Sequence, residues 1–191
     1  MVSERIQATE APHMTADEFA VWTANREQPG HTVELIHGEM ITMPTNGLSS
    51  FIASLILAEL VRFVTPRGLG YVFAPDVGLQ IAPDTVVSPD ASFVARGKLD
   101  ALSWHGFVQT APDLAVEVIS PTDRQRDIRR KLALYAEIGT LVWVIYPERR
   151  LAEVYAPDAP VVIVPADGVL SAPELLPGFA LALAEVFAAI P

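Results

Sequence analysis

The spacing of apolar and polar positions changes along the chain, and each change marks an element. Thr15 and Glu18 stand in capping-box register ahead of a short helix that runs to about Ala24. Gln28-Pro29-Gly30 breaks that helix. From His31 to Met43 the apolar positions alternate, with Val33 and Leu35 before a His37-Gly38 turn and Met40 and Ile41 after it, which predicts a β-hairpin. Pro44-Thr45-Asn46-Gly47 reads as a loop. Leu48 to Val64 then carries a long apolar helical pattern, closed by Pro66 and Gly68.

Three strand-like runs follow, at Tyr71 to Ala74, Val77 to Ile81 and Ala91 to Val94. Residues 95–112 read as a polar insertion of loop or short helix. Leu114 to Ile119 is a strongly apolar strand. Thr122 and Gln125 stand in capping-box register for a helix reaching Ile138, with Gly139 as its C-terminal cap. Leu141 to Tyr146 and Leu151 to Tyr155 form two more strands around Pro147-Glu148-Arg149-Arg150. The tail from Val161 to Pro191 is apolar, with Pro-Gly punctuation and a last helix from Leu181 to Ala189. This order predicts an α/β fold of the α+β kind, a mixed sheet with helices packed on it. Residues 1–13 read as a flexible leader and 14–191 as a single domain.

Composition narrows the picture. A chain of 191 residues, 51% hydrophobic and 19% charged, can bury one sizeable core. The absence of cysteine excludes disulfides and thiolate metal sites. The uncharged stretch from Ile41 to Ala58 contains Pro44, Asn46, Gly47 and three serines, so it does not read as a membrane span. The first residues show no positive-then-apolar signal layout, and the expectation is a cytoplasmic protein with no membrane partner. The apolar tail and acidic surface suit a self-associating chain, expected as a homodimer. The net charge of −10 opposes nucleic-acid binding as a whole-molecule property. Locally the balance reverses, because Arg124, Arg126, Arg129, Arg130 and Lys131 fall within one short segment and Arg149 and Arg150 follow. A solvated basic helix face would give the same run.

Candidate chemistry centres on the strand Leu-Ala-Val-Glu-Val-Ile. A strand this apolar is covered on both faces, so Glu117 must be protonated, paired or bound to a cation. A structural ion pair with Arg124 is the purely architectural alternative. Asp90 opens another apolar strand after Ser88-Pro89. Alone it is ordinary turn chemistry, but two carboxylates on adjacent strands can share a hard cation such as Mg²⁺ or Mn²⁺. At about 100° per residue, Ile128, Leu132, Tyr135 and Ile138 form the apolar face of the following helix, and Lys131 lies inside that stripe. Arg124 projects in nearly the same direction, whereas Arg126 and Arg130 fall on the opposite side. A lysine snorkelling along the core edge is the plain alternative. No Gly-x-Ser-x-Gly elbow or Gly-rich phosphate loop is present, which argues against serine hydrolases and P-loop enzymes.

Several segments resemble the Uma2-like proteins, the DUF820 group of restriction endonucleases within the PD-(D/E)xK nuclease superfamily. They are Met14-Thr15-Ala16-Asp17-Glu18-Phe19, Val33-Glu34-Leu35-Ile36-His37-Gly38-Glu39, Ser88-Pro89-Asp90-Ala91-Ser92-Phe93-Val94 and Ala111 through Pro121. The helix with Lys131 and Tyr135, followed by Val142-Trp143-Val144-Ile145, completes the pattern, from about residue 14 to about residue 187. The resemblance implies a restriction-endonuclease-like core with an N-terminal helix and β-hairpin. It implies Asp90 and Glu117 as metal-holding acids and Lys131 as the basic residue, since Ile119 occupies the usual lysine place. Glu39, and after it Glu34, would be supporting acids. The implied reaction is Mg²⁺- or Mn²⁺-dependent hydrolysis of a nucleic-acid phosphodiester, DNA before RNA. Ser49 departs from the pattern, standing where many relatives carry histidine, and a serine cannot replace imidazole in acid–base work near neutral pH. The alternatives are a catalytically silent, self-associating homologue and a small-molecule hydrolase using the same carboxylates.

Overall fold

Thr15 caps the first helix in the computed structural model, which describes residues 13–25, 31–44, 46–99 and 106–190. Its hydroxyl accepts the Glu18 N–H while the Glu18 carboxylate accepts the Thr15 N–H, the reciprocal pair that the spacing predicts, and α1 spans Ala16–Ala24. Strands β1 (His31–Ile36) and β2 (Glu39–Pro44) form the expected hairpin, and Ile36 pairs with Glu39 across a two-residue turn. His37 and Gly38 both take positive φ, 50° and 72°, as the tight hairpin turn demands. Most of the predicted leader (residues 1–12) and the Gln28-Pro29-Gly30 breaker lie outside the described residues. His13 is described, and its imidazole lies 3.1 Å from the Asp84 carboxylate.

Helix α2 (Gly47–Arg67) is longer than its apolar pattern suggests. Asn46 starts it by accepting the N–H groups of Leu48 and Ser49. Pro66 does not end it, because it sits in the last turn, and the helix stops at Gly68 in the left-handed conformation with φ 61°. By length and composition α2 could cross a membrane. Here Ile52, Ile56, Leu60 and Val64 form a buried stripe on the main sheet.

The remaining elements are β3 (Gly70–Phe73), β4 (Leu79–Ala82), β5 (Thr85–Val87), β6 (Ala91–Ala95), β7 (Leu114–Val118), α3 (Gln125–Glu137), β8 (Leu141–Tyr146), β9 (Leu151–Tyr155), β10 (Val162–Val164), β11 (Val169–Leu170), β12 (Leu181–Ala182) and α4 (Leu183–Ala188). One sheet has the order β10-β9-β8-β7-β6-β3, with β7 and β8 parallel and joined by α3. A second has the order β2-β1-β5-β4. The result is the mixed α+β architecture that the sequence predicts. Three details differ from expectation. β5 went unread because three residues are too few to display an alternation. Within the described part of the 95–112 insertion, Arg96–Lys98 forms the expected short helix, as a 3₁₀ turn, but Val108 makes an unforeseen bridge to Leu79. The tail is partly strand, and its last helix begins at Leu183 because Leu181 and Ala182 pair with β11.

Alternation on β7 organises the core. Leu114, Val116 and Val118 face α2 and the tail, where Trp143, Phe179 and Phe187 pack with them. Ala115 and Glu117 face α3 and the second sheet, where Leu134, Tyr135, Val142, Val144 and Ile36 pack. The sheet therefore has two different faces, one wholly apolar and one carrying a carboxylate. Leu60→Ala should cost about 2–5 kcal/mol in urea denaturation, through lost burial plus the cavity left behind. Val61→Ala, on the half-exposed side of the same helix, should change stability by no more than about 0.5 kcal/mol.

Candidate active site

Three elements deliver charged side chains to one place. β7 presents Glu117 toward α3, and α3 returns Lys131 and Tyr135 one turn apart on its buried face. Lys131 Nζ donates to Glu117 Oε2 at 2.7 Å, and Tyr135 Oη donates to Glu117 Oε1 at 2.8 Å. On β1, alternation sends Val33 and Leu35 toward α1 and leaves Glu34 facing the helix. Glu34 is fully buried, and its Oε1 lies 3.1 Å from Lys131 Nζ and accepts the Ser88 N–H at 2.7 Å. Its Oε2 is buried with no hydrogen-bond partner.

Asp90 precedes β6, one step beyond the Ala91–Val116 pair, a register that sets it beside Glu117. Its Oδ2 accepts the Val118 N–H at 2.7 Å. Asp90, Glu117 and Lys131 all line one cavity of about 660 Å³, and Arg124, Arg126 and Arg130 line it too. The three residues singled out from the sequence thus converge.

Other expectations need correction. Glu117 is not paired with Arg124, which is exposed at the N-cap of α3 and makes no side-chain cap bond; Lys131 and Tyr135 hold Glu117 instead. The Thr122–Gln125 capping box does not form. Asp123 folds back on Ser120, accepting its N–H at 2.7 Å and its hydroxyl at 3.1 Å, and the helix starts at Gln125. Arg130 does not point away from the site: its guanidinium reaches sideways to Glu39 and to the Ile36 carbonyl, each at 2.6 Å. A helical projection fixes only the first bonds of a long side chain, not where its end arrives. Glu39 is 59% exposed at the rim, held by Arg130, while Glu34 rather than Glu39 touches the buried lysine. Ser49 is buried and lines the cavity. The contact from Tyr135 was readable in principle, since it stands four residues after Lys131 on the same face.

Electrostatics follow from burial. Burial alone would strip the proton from Lys131, but Glu117 and Glu34 outweigh it and hold the ammonium charged, above the ordinary lysine range. Burial pushes Glu117 upward, against the opposing pull of Lys131, and Glu34 and Asp90 add to the rise. Burial likewise raises Asp90 to about 6, although the Val118 N–H and Lys131 oppose it. Three carboxylates thus share one ammonium, two negative charges in excess when all are ionised.

That imbalance tests whether a divalent cation fits. Among the described residues no group of three His, Asp or Glu side chains is placed to hold a metal ion. Mg²⁺ commonly uses only one or two carboxylates, with waters and phosphate oxygens completing its shell. Asp90 and Glu117 meet that lesser requirement, and the charge excess, with the orphaned Glu34 oxygen, favours a cation here. The residues present fit the group.

The chain is similar to known proteins over most of its length. The model of the Uma2 family, described as "Putative restriction endonuclease", matches residues 16–184. A crystal structure at 1.96 Å resolution of "a putative nuclease belonging to DUF820" from Anabaena variabilis ATCC 29413 superposes with a TM-score of 0.76. The two are 22% identical over 92% of this chain and 98% of the other, a likeness that shows the fold. No curated protein matches the chain.

Asp90 yields a stability prediction. Its folded-state pKa of about 6 lies above its ordinary 3.8. The protonated form therefore contributes stability below pH 3.8 that is lost as pH rises toward 6, ~3 kcal/mol for a shift of this size. In EDTA, Asp90→Asn should match the native chain near the acid end of that window. At higher pH it should exceed the native chain by up to that amount in urea denaturation. A variant less stable at every pH would contradict the assignment.

Proposed function

We propose, for a chain that belongs to the Uma2 family, that it hydrolyses phosphodiester bonds in nucleic acid with the help of Mg²⁺ or Mn²⁺. One observation carries this reading: a buried group of three carboxylates and one lysine, short of positive charge, opens into a cavity lined by arginines.

Asp90 and Glu117 would hold the cation, which supplies Lewis-acid polarisation of the phosphate and an activated water. The other groups have separable tasks. Glu34 fixes the Lys131 ammonium from behind, so that its charge stays directed at Glu117 and the cavity. Tyr135 keeps the second Glu117 oxygen oriented. Lys131 then balances charge building on a phosphate brought beside Glu117. Arg124 would attract a neighbouring backbone phosphate, while Arg126 is engaged with Asp127 and Arg130 with Glu39.

A second reading, a silent domain that assembles with copies of itself, is favoured by the sheet edge at β10, where Val162 and Ile163 are exposed. The two readings separate on one set of measurements. The enzyme should cut labelled DNA or RNA only with Mn²⁺ or Mg²⁺, and either ion should raise its Tm. Asp90→Asn should lower the rate by roughly 100-fold or more and abolish the metal-dependent Tm rise, while remaining folded. Metal-independent Tm and no cutting, with a concentration-dependent dimer that Ile163→Lys disrupts, would support the silent domain instead.

A further inference from the structure

A second cavity of about 420 Å³ opens on the far side of the segment that joins β7 to α3. It shares Ile119, Ser120, Asp123, Ile128 and Leu132 with the carboxylate cavity, so the two are neighbours on either side of a common wall. Its distinctive side chains are Arg129, Tyr146, Arg149 and Tyr155. The Arg149 guanidinium lies 5.3 Å over the Tyr146 ring. Arg129 is exposed and forms no ion pair among the described residues.

The hairpin β8–β9 arranges the aromatic part. Register sets Leu151 opposite Tyr146, Glu153 opposite Val144 and Tyr155 opposite Val142, so both tyrosines and Glu153 share the face that carries α3. Glu153 Oε2 accepts both phenols, at 3.0 Å from Tyr146 and 2.8 Å from Tyr155. The phenols are thereby fixed as donors and their rings oriented. No other ring stacks on Tyr155 among the described residues. Aromatic faces beside unpaired guanidinium groups bind a base and its phosphate together. Two carboxylates line the cavity against these cations. Asp123 is spent on Ser120, and Glu148 is exposed on the turn.

Resting on the nuclease reading above, we infer that this second cavity is a subsite for an unpaired nucleotide next to the scissile phosphate, its base on Tyr155 and its phosphates on Arg129 and Arg149. A base can reach a ring here only when it is out of the duplex stack. The substrate class is therefore a single strand, a frayed end or a flap, rather than continuous duplex.

The test is fluorescence anisotropy in EDTA, with labelled single-stranded DNA, single-stranded RNA and duplex DNA of about 15 nucleotides. Single strands should bind at least roughly 10-fold tighter than duplex. Tyr155→Ala should weaken single-strand binding by roughly 5- to 100-fold, the range expected for one stacked base, and Tyr155→Phe should restore it. Should Tyr155→Ala fold poorly, Arg129→Ala and Arg149→Ala carry the test: each should flatten the dependence of log K on log salt by about 0.7. The DNA and RNA arms show which sugar the subsite accepts. Equal affinity for duplex, or variants that bind as the native chain does, would overturn the subsite. Cleavage in Mn²⁺ is scored separately. Asp90-dependent cutting with unaltered binding by the variants sinks the subsite alone. Tyr155-dependent binding without any cutting sinks the nuclease reading alone.

Discussion

The ammonium of Lys131, buried between Glu117 and Glu34, ties together three parts of the molecule that otherwise meet mainly through apolar packing. Glu117 belongs to the six-stranded sheet, Glu34 to the four-stranded sheet, and Lys131 to the helix that crosses between β7 and β8. Apolar packing between these elements tolerates small shifts, whereas an ion pair at 2.7 Å does not. Removing one partner from such a buried pair typically costs about 3–5 kcal/mol, because a charge is left without compensation. The same contact that fixes the fold fixes the site.

This arrangement is not an optimum for stability. Burial raises both Asp90 and Glu117, so the folded chain carries carboxylates that would prefer to be neutral or in water. Structural ion pairs usually close their own charge balance; this one leaves negative charge in excess and an oxygen of Glu34 without a partner. Strain of that kind is expected where a site is organised ahead of its ligand. The arginines around the cavity stand among carboxylates, Arg126 beside Asp127 and Arg130 on Glu39, so the rim is of mixed charge on a chain of net charge −10.

Much of this was legible in the sequence, and the limits follow from physics. Glu117 was readable because one carboxylate in an apolar strand needs a partner wherever the strand lies. Lys131 was readable because helical periodicity fixes the direction of its first bonds. Asp90 was legible by resemblance more than by pattern, because Pro-Asp before a strand is ordinary turn chemistry. Glu34 was ranked below Glu39, since both alternate along a hairpin and only the packing of α3 decides which is buried. Arg124 stays exposed and Arg130 reaches Glu39 for a related reason: long side chains end several ångströms from where a projection places them. Short strands such as β5, β11 and β12 carry too few residues to show a period. They form because neighbouring edges supply their partners.

In the proposed site Asp90 and Glu117 hold a divalent cation, their own charge only partly offset by Lys131. The direct measurement is anomalous diffraction from crystals grown with Mn²⁺. One strong peak is expected within bonding distance of both carboxylates, with Lys131 still on Glu117 or displaced toward Glu34. No peak there at saturating Mn²⁺, or a peak bound by other residues, would contradict it.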